Sequence, residues 1–361
     1  MIAPAPHSPT RITLDTAALQ ENYKRLTAHV PASCQVAAVV KANAYGLGVE
    51  VAVPALEQAG ARFFYVAHFS EALAVRAVTG CPIAVLGGLP QGAAADYKHH
   101  KIIPVLNSPE DIAACPADLP AIWHIDTGMN RLGLRTEDVA TLASRAKSLP
   151  LLMMTHFASS DDAVSPFTAE QIRRFDACIA GLPKPFQLIP HSICNSSGVL
   201  RHPEAHRQQI RPGIALYGGN PTPEAANPMR PVVEITTKIL QVRTGKAGET
   251  VGYNQTETLA ADTQLATIGL GYADGFFRSG SGRAHLYWRG FPCKIMGRVS
   301  MDLITVAIGS LPPTCPPPQQ GDWLEIIGPH QSVDHLGASL GTISYEVLTS
   351  LSHRAERIIG I

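Results

Sequence analysis

The chain has 361 residues, 45% of them hydrophobic and 16% charged, which excludes an intrinsically disordered protein and allows one large and one smaller domain. Its 29 basic and 29 acidic side chains balance, so no net field would attract nucleic acid or an anionic membrane. No apolar stretch approaches the roughly 18 residues of a membrane span, and the start lacks the pattern of a secretion signal. We therefore predict a cytoplasmic protein with a small-molecule partner, no nucleic acid and no membrane.

Eight short apolar runs, rich in β-branched residues, alternate with amphipathic segments over the first 218 residues. The predicted strands are 36–40, 63–67, 82–86, 102–106, 121–126, 151–157, 186–189 and 209–216. Apolar residues recur at helical spacing in segments 70–78, 137–148 and 167–182. Eight buried strands, each followed by a helix, predict a TIM-like (β/α)8 barrel of the α/β class. An open doubly wound sheet is the competing arrangement.

From about residue 231 the pattern changes to short strands separated by glycine and proline, which predicts a mostly-β domain. Segment 311–322, "LPPTCPPPQQGD", is a proline-rich loop within that domain, because strands resume directly after it. We place the barrel at residues 1–228 and the C-terminal β domain at 229–361, and leave open whether the first strand pairs with the β domain. Seven scattered cysteines without metal-ligand spacing predict reduced thiols and no metal site.

Polar side chains collect at the C-terminal ends of five predicted strands, the end at which barrels of this kind hold their active sites. A single arginine or histidine at a strand end is more often a satisfied polar group than a catalyst. The joint placement at one end of five strands predicts an active site there. The residues are Lys41 and Tyr45 after the first strand, Asp126, Asn130 and Arg131 after the fifth, His156 at the sixth, Asn195, Ser196 and Ser197 at the seventh, and Arg211, Gly213 and Ile214 at the eighth.

These residue types suit one kind of cofactor. Hydroxyl and backbone N–H groups after the last two strands can cradle a phosphate, and a glycine allows it to approach closely. A lysine that is partly desolvated and lies among cations has a lowered pKa and can form a Schiff base with a carbonyl. Pyridoxal phosphate carries both an aldehyde and a phosphate, so it is the predicted cofactor.

Seven segments, in order and over nearly the whole chain, resemble the motifs of the alanine racemases. The segments are "VVKANAYGLG", "HIDTGMNRLG", "THFASSDD", "CNSSG", "IRPGIALYG", "IGLGYADG" and "GRVSMD". The resemblance implies a fold type III enzyme that interconverts L- and D-alanine through a pyridoxal phosphate external aldimine, with two acid–base groups on opposite faces of the substrate. It also implies a role in supplying D-alanine for peptidoglycan or in catabolising it.

By the same resemblance each site residue has an implied role. Lys41 would hold the cofactor as an imine and act as one base, and Tyr272 of "GYADG" would be the other. Because Tyr272 lies in the β domain and would come from a partner subunit, a head-to-tail homodimer with shared active sites is expected. The implied cofactor contacts are Lys41, Tyr45, His156, Asn195, Ser196, Arg211, Gly213 and Ile214, and the implied substrate contacts are Arg131, Met301 and Asp302.

Two of these residues would tune the reactivity of the site. Arg211 would face the pyridine nitrogen, and a guanidinium cannot accept a hydrogen bond, so it would disfavour protonation of that nitrogen and limit side reactions. His156 and Arg211 would place positive charge beside Tyr272, because a phenol with an ordinary pKa of about 10 is a poor base at neutral pH.

The chain departs from the family pattern at two positions. His124 stands where many members have a lysine, often carbamylated, that holds the neighbouring arginine. Because histidine carries no comparable carbamate, we expect either a bound anion near Arg131 and His124, or His124 itself, to position Arg131. His353 stands where some members have a tyrosine that reaches the cofactor phosphate, so the phosphate would lose one ligand or gain a weakly cationic one.

Other interpretations of the sequence stay open. A racemase of the same fold with a broader or different substrate, such as serine or lysine, would share every motif, because specificity depends on pocket-lining side chains. A decarboxylase that shares the barrel and the β domain is a further alternative. A non-catalytic pyridoxal phosphate carrier is disfavoured by the match around Tyr272, because a carrier needs no second base.

Overall fold

A closed ring of parallel strands forms the N-terminal part of the molecule. The computed structural model describes residues 7–309 and 311–360, so the outer ends of the two predicted domains lie outside the described residues. The first barrel strand is interrupted at Ala37 and consists of two short pieces. In chain order the ring contains Gln35–Val36 with Ala38–Val39, Phe64–Val66, Ile83–Val85, Ile102–Leu106, Ile122–Asp126, Leu152–Met154, His191–Ser192 and Gln209–Ile210.

The ring closes because Gln209 of the eighth strand pairs with Gln35 of the first. Both faces of the ring are covered, and residues such as Phe64, Ile83 and Val105 are completely buried. The sequences of such strands are continuous apolar runs, because neither face of the strand is exposed to water. The predicted TIM-like barrel is confirmed, and the open doubly wound sheet is not formed.

The seventh strand lies later in the chain than predicted. Segment 186–189 was expected to be a strand, but Lys184–Gln187 forms a helical turn and the strand is His191–Ser192. Pro185 stands in the first turn of that helix. Proline has no backbone N–H and a fixed φ, so it suits the first turn of a helix and interrupts a central strand.

The eighth strand is shorter than the predicted 209–216 and comprises Gln209–Ile210. Pro212 has no N–H with which to extend the ladder. The chain then enters the 3₁₀ helix Ile214–Tyr217. The short strand therefore leaves Gly213 at the mouth of the barrel, directly before a helical turn.

Helices cover the outside of the barrel and connect its strands. The first helix, Thr16–Ala28, buries Leu19, Tyr23 and Leu26, which are spaced to lie on one face. The three segments predicted from helical spacing form the helices Phe69–Arg76, Thr136–Arg145 and Phe167–Ala180. The remaining barrel helices are Val49–Gln58, Ala94–His99, Pro109–Ala114 and Ser196–Arg201, with the 3₁₀ turn Pro203–Ala205.

A second, largely antiparallel sheet forms the C-terminal domain, as predicted. Six of its strands close into a ring, because the long strand Val233–Gly245 pairs with Trp323–Ile327 along one part and with Thr263–Ile268 along another. A register shift between Ile239 and Gln241 lets the strand change partners. The other strands are His285–Trp288, Phe291–Met296 and Ile304–Ala307, with a small hairpin of Thr250–Val251 and Glu257–Thr258.

The two ends of the chain complete this second sheet. The strand Thr10–Asp15 pairs antiparallel with Val233–Gly245 and parallel with Glu356–Gly360. Burial alternates along Thr10–Asp15, with Ile12 and Leu14 turned into the core. The first strand of the chain therefore belongs to the β domain, whereas the boundary between residues 228 and 229 stays a prediction.

Two helices follow the strand Trp323–Ile327, Val333–Leu340 and Ser344–Thr349, and the second of them brings Tyr345 to the mouth of the barrel. Gly46, in the turn after the first barrel strand, lies against the second of them. A Cβ on Gly46 would stand 2.2 Å from the backbone oxygen of Leu348, and the φ of Gly46 is +81°. Only glycine fits both the space and the backbone conformation, so this turn is held against the C-terminal part of the chain.

Within residues 7–309 and 311–360, no helix is both long and apolar enough to cross a membrane. The seven cysteines are free, and five of them are buried. Burial raises the pKa of the Cys34 and Cys293 thiols to about 11. Thiols of this kind are mostly protonated at neutral pH and are weak nucleophiles.

We predict that Gly46→Ala destabilises the protein more than Gly92→Ala. The two glycines have φ angles of +81° and +80°, so each alanine carries a left-handed strain of about 1–2 kcal/mol. Only Gly46 adds a collision with the Leu348 backbone, because nothing lies within 4 Å of a Cβ at Gly92. Urea denaturation of both variants should show a further loss of about 1–3 kcal/mol for Gly46→Ala. Equal losses would contradict a fixed contact between Gly46 and the C-terminal helix.

Candidate active site

The mouth of the barrel contains a cavity of about 140 Å³ at the C-terminal ends of the strands. All eight predicted cofactor contacts line it, together with one predicted substrate contact. These residues are Lys41, Tyr45, Arg131, His156, Asn195, Ser196, Arg211, Gly213 and Ile214. Tyr272, Met301 and Asp302 are not among its lining residues. One chain therefore assembles the barrel part of the predicted site, and the three predicted residues of the β domain lie outside this cavity.

Lys41 lies at the end of the first barrel strand, where the chain enters a left-handed turn. The φ angles of residues 42–45 all lie between 51° and 54°. A left-handed conformation costs about 1–2 kcal/mol per residue, so other contacts must stabilise this turn. The N–H of Ala42 donates to Oε1 of Glu71 at 2.7 Å. The turn reverses the chain directly after Lys41, and Tyr45 returns to the same cavity.

The environment of Lys41 favours its neutral amine. Burial lowers the pKa of Lys41, the positive charge of Arg131 lowers it further, and Glu71 opposes the shift. A neutral amine is both nucleophilic and basic, which are the properties that Schiff-base formation and proton abstraction require.

Ser196, Gly213 and Tyr45 form a small polar cradle in the cavity wall. The hydroxyl oxygen of Ser196 accepts hydrogen bonds from the backbone N–H groups of Gly213 at 2.9 Å and Ala215 at 3.3 Å. A Cβ on Gly213 would stand 2.1 Å from the Tyr45 hydroxyl oxygen, so only glycine fits. Because the oxygen of Ser196 accepts these two bonds, its own proton is free to be donated, and the hydroxyls of Ser196 and Tyr45 are two donors that suit a phosphate.

Asn195 holds the helix that carries Ser196. Its side-chain oxygen accepts from the backbone N–H of Gly198 at 3.0 Å, which caps the helix, and from the Ser160 hydroxyl at 2.8 Å. Both bonds use the oxygen of the amide. The side-chain N–H groups are therefore what Asn195 can offer to a ligand in the cavity.

Three tyrosines pack in a row beside the cradle. The ring of Tyr45 stacks on Tyr217 with centroids 4.5 Å apart, and the ring of Tyr345 lies 6.1 Å from Tyr45. Burial raises the pKa of all three, to about 12 for Tyr345. Their hydroxyls therefore stay protonated and can donate hydrogen bonds at neutral pH.

Tyr345 lines the cavity and was missed from the sequence, whereas His353 was expected at the cofactor phosphate and does not line it. His353 is exposed near the end of the chain. The helix Ser344–Thr349 packs against the turn after Lys41 and brings Tyr345 to the wall of the cavity. A tyrosine hydroxyl, and not a weakly cationic imidazole, is thus available at this wall.

Arg211 is a cation buried in the cavity wall, with 4% of its surface exposed. Its Nη1 donates to the backbone oxygen of Ser192 at 2.7 Å and to the Ser192 hydroxyl at 2.5 Å, and its Nη2 donates to the backbone oxygen of Thr155 at 2.5 Å. These acceptors are neutral, whereas buried charges are usually paired with a carboxylate. The charge of Arg211 therefore acts on the other groups that surround it.

The charge of Arg211 helps to set the protonation state of His156. Burial lowers the pKa of His156 well below its usual range, and the charges of Arg211 and Arg131 lower it further. Nη2 of Arg211 lies 3.5 Å from Nδ1 of His156. Because a guanidinium only donates, Nδ1 accepts and the ring proton is on Nε2. The lowered pKa and the contact with Arg211 favour a neutral His156, and its expected role beside Tyr272 stays a prediction.

His124 also lines the cavity, with Asn107 behind it. Nδ1 of His124 lies 2.8 Å from Oδ1 of Asn107. Burial, followed by the charge of Arg211, lowers the pKa of His124 to about 3, so the ring is neutral. Asn107 directly follows the strand Ile102–Leu106, so the strand-end rule that identified the other site residues could have found it.

Tyr272 and Met301 lie on two loops of the β domain that are bonded to each other. The N–H of Tyr272 donates to the backbone oxygen of Ser300, and the N–H of Ala273 donates to that of Met301, both at 3.0 Å. The side chain of Tyr272 is 44% exposed and that of Met301 is 53% exposed. Both are therefore open to a second molecule.

Arg354 ties the same two loops together. Its Nη2 lies 2.8 Å from Oδ1 of Asp302, and its Nε lies 3.3 Å from Oδ1 of Asp274. Asp274 also accepts from the N–H of Gly271, directly before Tyr272, at 2.9 Å. Asp302, predicted as a substrate contact, is thus an exposed partner of Arg354 in this chain.

The groups in the cavity match the chemistry of the predicted cofactor. The amine of Lys41 can bond to an aldehyde, and the cradle at Ser196 and Gly213 can hold a phosphate. Arg211 brings a charge whose hydrogen-bond acceptors among residues 7–309 and 311–360 are neutral, and its guanidinium can only donate hydrogen bonds. The residues present therefore fit pyridoxal phosphate.

Known proteins resemble this chain over nearly its full length. Residues 14–221 match the family model described as alanine racemase, N-terminal domain, and residues 232–359 match that for the C-terminal domain. Alanine racemase from Methylobacterium nodulans is 43% identical over 99% of this chain and 97% of that protein. A catabolic alanine racemase from Agrobacterium fabrum is 40% identical over 96% of this chain and 91% of that protein. The crystal structure of alanine racemase from Bartonella henselae with covalently bound pyridoxal phosphate has a TM-score of 0.91 at 37% identity and covers 97% of this chain and 99% of that chain.

We predict that Ser196→Ala weakens the binding of pyridoxal phosphate roughly 10- to 100-fold, because the variant loses one hydrogen bond to a charged group. Ser197→Ala is the matched control, because Ser197 is the next residue of the same helix, is buried and does not line the cavity. Titration of the apoenzyme with pyridoxal phosphate, followed by absorbance, measures both affinities. Equal affinities in the two variants would contradict the assignment of the cradle.

We predict that Arg131→Met moves the formation of the pyridoxal phosphate imine to higher pH. Removing the charge of Arg131 raises the pKa of Lys41, so the neutral amine appears only at higher pH. The measurement is the rate of covalent capture of pyridoxal phosphate by the apoenzyme as a function of pH. Arg135→Met is the control, because Arg135 is exposed and does not line the cavity. Identical profiles for both variants would show that Arg131 does not act on Lys41.

Proposed function

Since the chain belongs to the alanine racemase family, we propose that it interconverts L- and D-alanine by moving the α-proton between Lys41 and Tyr272, on opposite faces of the substrate. The chain is an isomerase, and its cofactor is pyridoxal phosphate. One observation carries the proposal. The Lys41 amine and the cradle at Ser196 lie in one cavity, while the candidate second base lies on an exposed loop of the other domain.

Lys41 serves one face of the substrate. Its lowered pKa favours the neutral amine, so Nζ can take the proton from the α-carbon. Pyridoxal phosphate, when bound, draws electrons from the bond to that proton and makes it more acidic. A proton returned by Lys41 would restore the original enantiomer, so inversion needs a second proton donor on the other face.

Tyr272 is the second acid–base group in this proposal. Its hydroxyl gives a proton to the opposite face, and in the reverse direction its phenolate takes one. Tyr272 does not line the cavity of its own chain and is 44% exposed, which supports a head-to-tail homodimer in which each cavity uses the partner's Tyr272. The bond between Ala273 and Met301 would bring Met301 to the cavity together with the tyrosine.

The substrate carboxylate is assigned to Arg131 and to the backbone N–H of Met301. Arg131 lines the cavity, and its guanidinium carries the positive charge and the paired N–H groups that suit a carboxylate. Asp302 is better described as a positioning group, because its carboxylate holds Arg354 at 2.8 Å and so braces the two loops. An isomerase runs in both directions, so the same residues would serve D-alanine synthesis for peptidoglycan and D-alanine breakdown.

The remaining lining residues are assigned to the cofactor. The phosphate is assigned to Tyr45, Ser196, Gly213 and Ile214, where the hydroxyls of Tyr45 and Ser196 both lie beside the Gly213 backbone. Arg211 is assigned to the pyridine nitrogen, because a group that only donates keeps that nitrogen unprotonated. His156 and Asn195 complete the wall with N–H donors.

We predict that the wild-type enzyme in deuterium oxide incorporates deuterium at the α-carbon of L-alanine while optical rotation is lost. Lys41→Ala and Tyr272→Phe should each lower racemisation by roughly 100-fold or more, because each removes one acid–base group. Tyr253→Phe is the matched control, since Tyr253 is an exposed tyrosine of the same domain outside the cavity. The measurement follows deuterium and chirality in the same samples.

Three results would contradict the proposal. Exchange without loss of chirality in the wild type would mean that a single base acts on one face. Full activity in Tyr272→Phe would assign the second proton to another group. Exchange with serine or lysine but not with alanine would assign the enzyme to another substrate.

A further inference from the structure

Asn107 is a buried amide that contacts His124, and its neighbours fix its orientation. The side chain directly follows the strand Ile102–Leu106 and belongs to a residue that is 7% exposed. Its Nδ2 donates to the backbone oxygens of Leu86 at 3.0 Å and Val105 at 2.9 Å. Both partners are acceptors, so only the NH₂ group can face them, and the amide oxygen has to point the other way.

The amide oxygen of Asn107 determines which nitrogen of His124 carries the proton. It lies 2.8 Å from Nδ1 of His124, and an amide oxygen only accepts, so Nδ1 is the protonated nitrogen. The neutral ring holds one proton, which leaves Nε2 with a lone pair. Within the described part of the chain, Nε2 has no hydrogen-bond partner, although the ring lines the cavity.

The loop after the strand Ile122–Asp126 brings Arg131 back over the end of the strand that carries His124. The carboxylate of Asp126 accepts from the backbone N–H groups of residues 128, 129 and 130 at 2.9, 2.9 and 3.0 Å. The chain then pairs with its own strand, since Leu134 lies opposite Ile125. Arg131 and His124 therefore line the same cavity from the same strand end.

We propose that Asn107 is a positioning residue that holds the proton of His124 on Nδ1, so that Nε2 accepts a hydrogen bond from the Arg131 guanidinium and steadies it at the substrate carboxylate. A guanidinium can only donate, and an unprotonated imidazole nitrogen is its complement. The inference rests on the proposed function, which assigns the substrate carboxylate to Arg131.

The same geometry disfavours the bound anion that was the other option for positioning Arg131. The one N–H of His124 is used by Asn107, so the ring offers an anion only the lone pair of Nε2, which repels it. The charged groups that face His124 are Arg211, Arg131 and Asp126, and the two arginines oppose its protonation. His156 presents the opposite group, an N–H on Nε2, so the two histidines differ in what they offer to the cavity.

Nuclear magnetic resonance of the holoenzyme with nitrogen-15 in its histidine rings tests the tautomer directly. The signals of His124 are those lost in His124→Gln. We expect a protonated Nδ1 and an unprotonated Nε2 from about pH 6 to about pH 9. Arg131→Met should move the Nε2 signal toward that of a free acceptor, and Arg135→Met should leave it unchanged. A proton on Nε2, or an Nε2 signal that ignores Arg131→Met, would overturn the proposal.

Asn107→Asp tests the consequence for catalysis. A carboxylate beside Nδ1 favours the imidazolium and raises the pKa of His124 from about 3. Below the new pKa, Nε2 becomes a donor that cannot accept from Arg131. The KM for alanine should then rise roughly tenfold as the pH falls, with a smaller change in kcat. The wild type should show no such rise.

Ser108→Ala is the control for damage to the loop. Ser108 adjoins Asn107, and its hydroxyl accepts from the N–H of Asp111 to cap the next helix, outside the cavity. We expect its KM to follow the wild type at every pH. A KM profile of Asn107→Asp that matches the wild type would count against the proposal. If Asn107→Asp fails to fold, the histidine spectrum of the wild type tests the proposal by itself. If the wild type shows the expected tautomer but does not racemise alanine, the proposed function is wrong and the assignment of the His124 proton stands.

Discussion

The buried charge of Arg211 governs the chemistry of the cavity. A guanidinium that is 4% exposed has to be hydrogen-bonded, and the backbone oxygens of Thr155 and Ser192, at the ends of neighbouring strands, supply the acceptors. Burial lowers the pKa of His156 and His124, and because the acceptors of Arg211 are neutral, its uncancelled charge lowers both further. Burial and the charge of Arg211 together favour two neutral imidazoles, and each neutral ring offers one donor or one acceptor.

The strained turn after Lys41 depends on contacts from both domains. Four consecutive residues, 42–45, adopt a conformation that costs about 1–2 kcal/mol each, and strain of this kind persists only where surrounding contacts determine it. Glu71 of the barrel bonds to the turn, and the helix Ser344–Thr349 of the C-terminal part lies against Gly46. The second domain therefore shapes the lysine site of its own chain, besides presenting Tyr272 on its surface.

Most of the barrel and its lining residues could be predicted because buried parallel strands are apolar runs and their C-terminal ends share one face. Segment 186–189 was wrongly predicted to be a strand, because a short apolar run looks the same in a helix and in a strand. Pro185 was the available signal for the first turn of a helix. Tyr345 lies 300 residues from Tyr45 in the chain, and such a contact depends on packing between domains. The proton positions on His124 and His156 depend on contacts near 3 Å, which residue spacing does not encode.

The placement of the strand Thr10–Asp15 also determines the order in which the protein can be completed. Its antiparallel partner begins at Val233 and its parallel partner at Glu356, so during synthesis it has no partner until most of the chain has left the ribosome. The barrel lies in the chain between Thr10–Asp15 and Val233, so it can fold while Thr10–Asp15 is still unpaired. Contacts of such long sequence separation form slowly, and an unpaired apolar strand invites aggregation. The strand Glu356–Gly360 therefore covers the outer edge of Thr10–Asp15, so that the sheet gains this edge strand only after almost all of the described residues have been made.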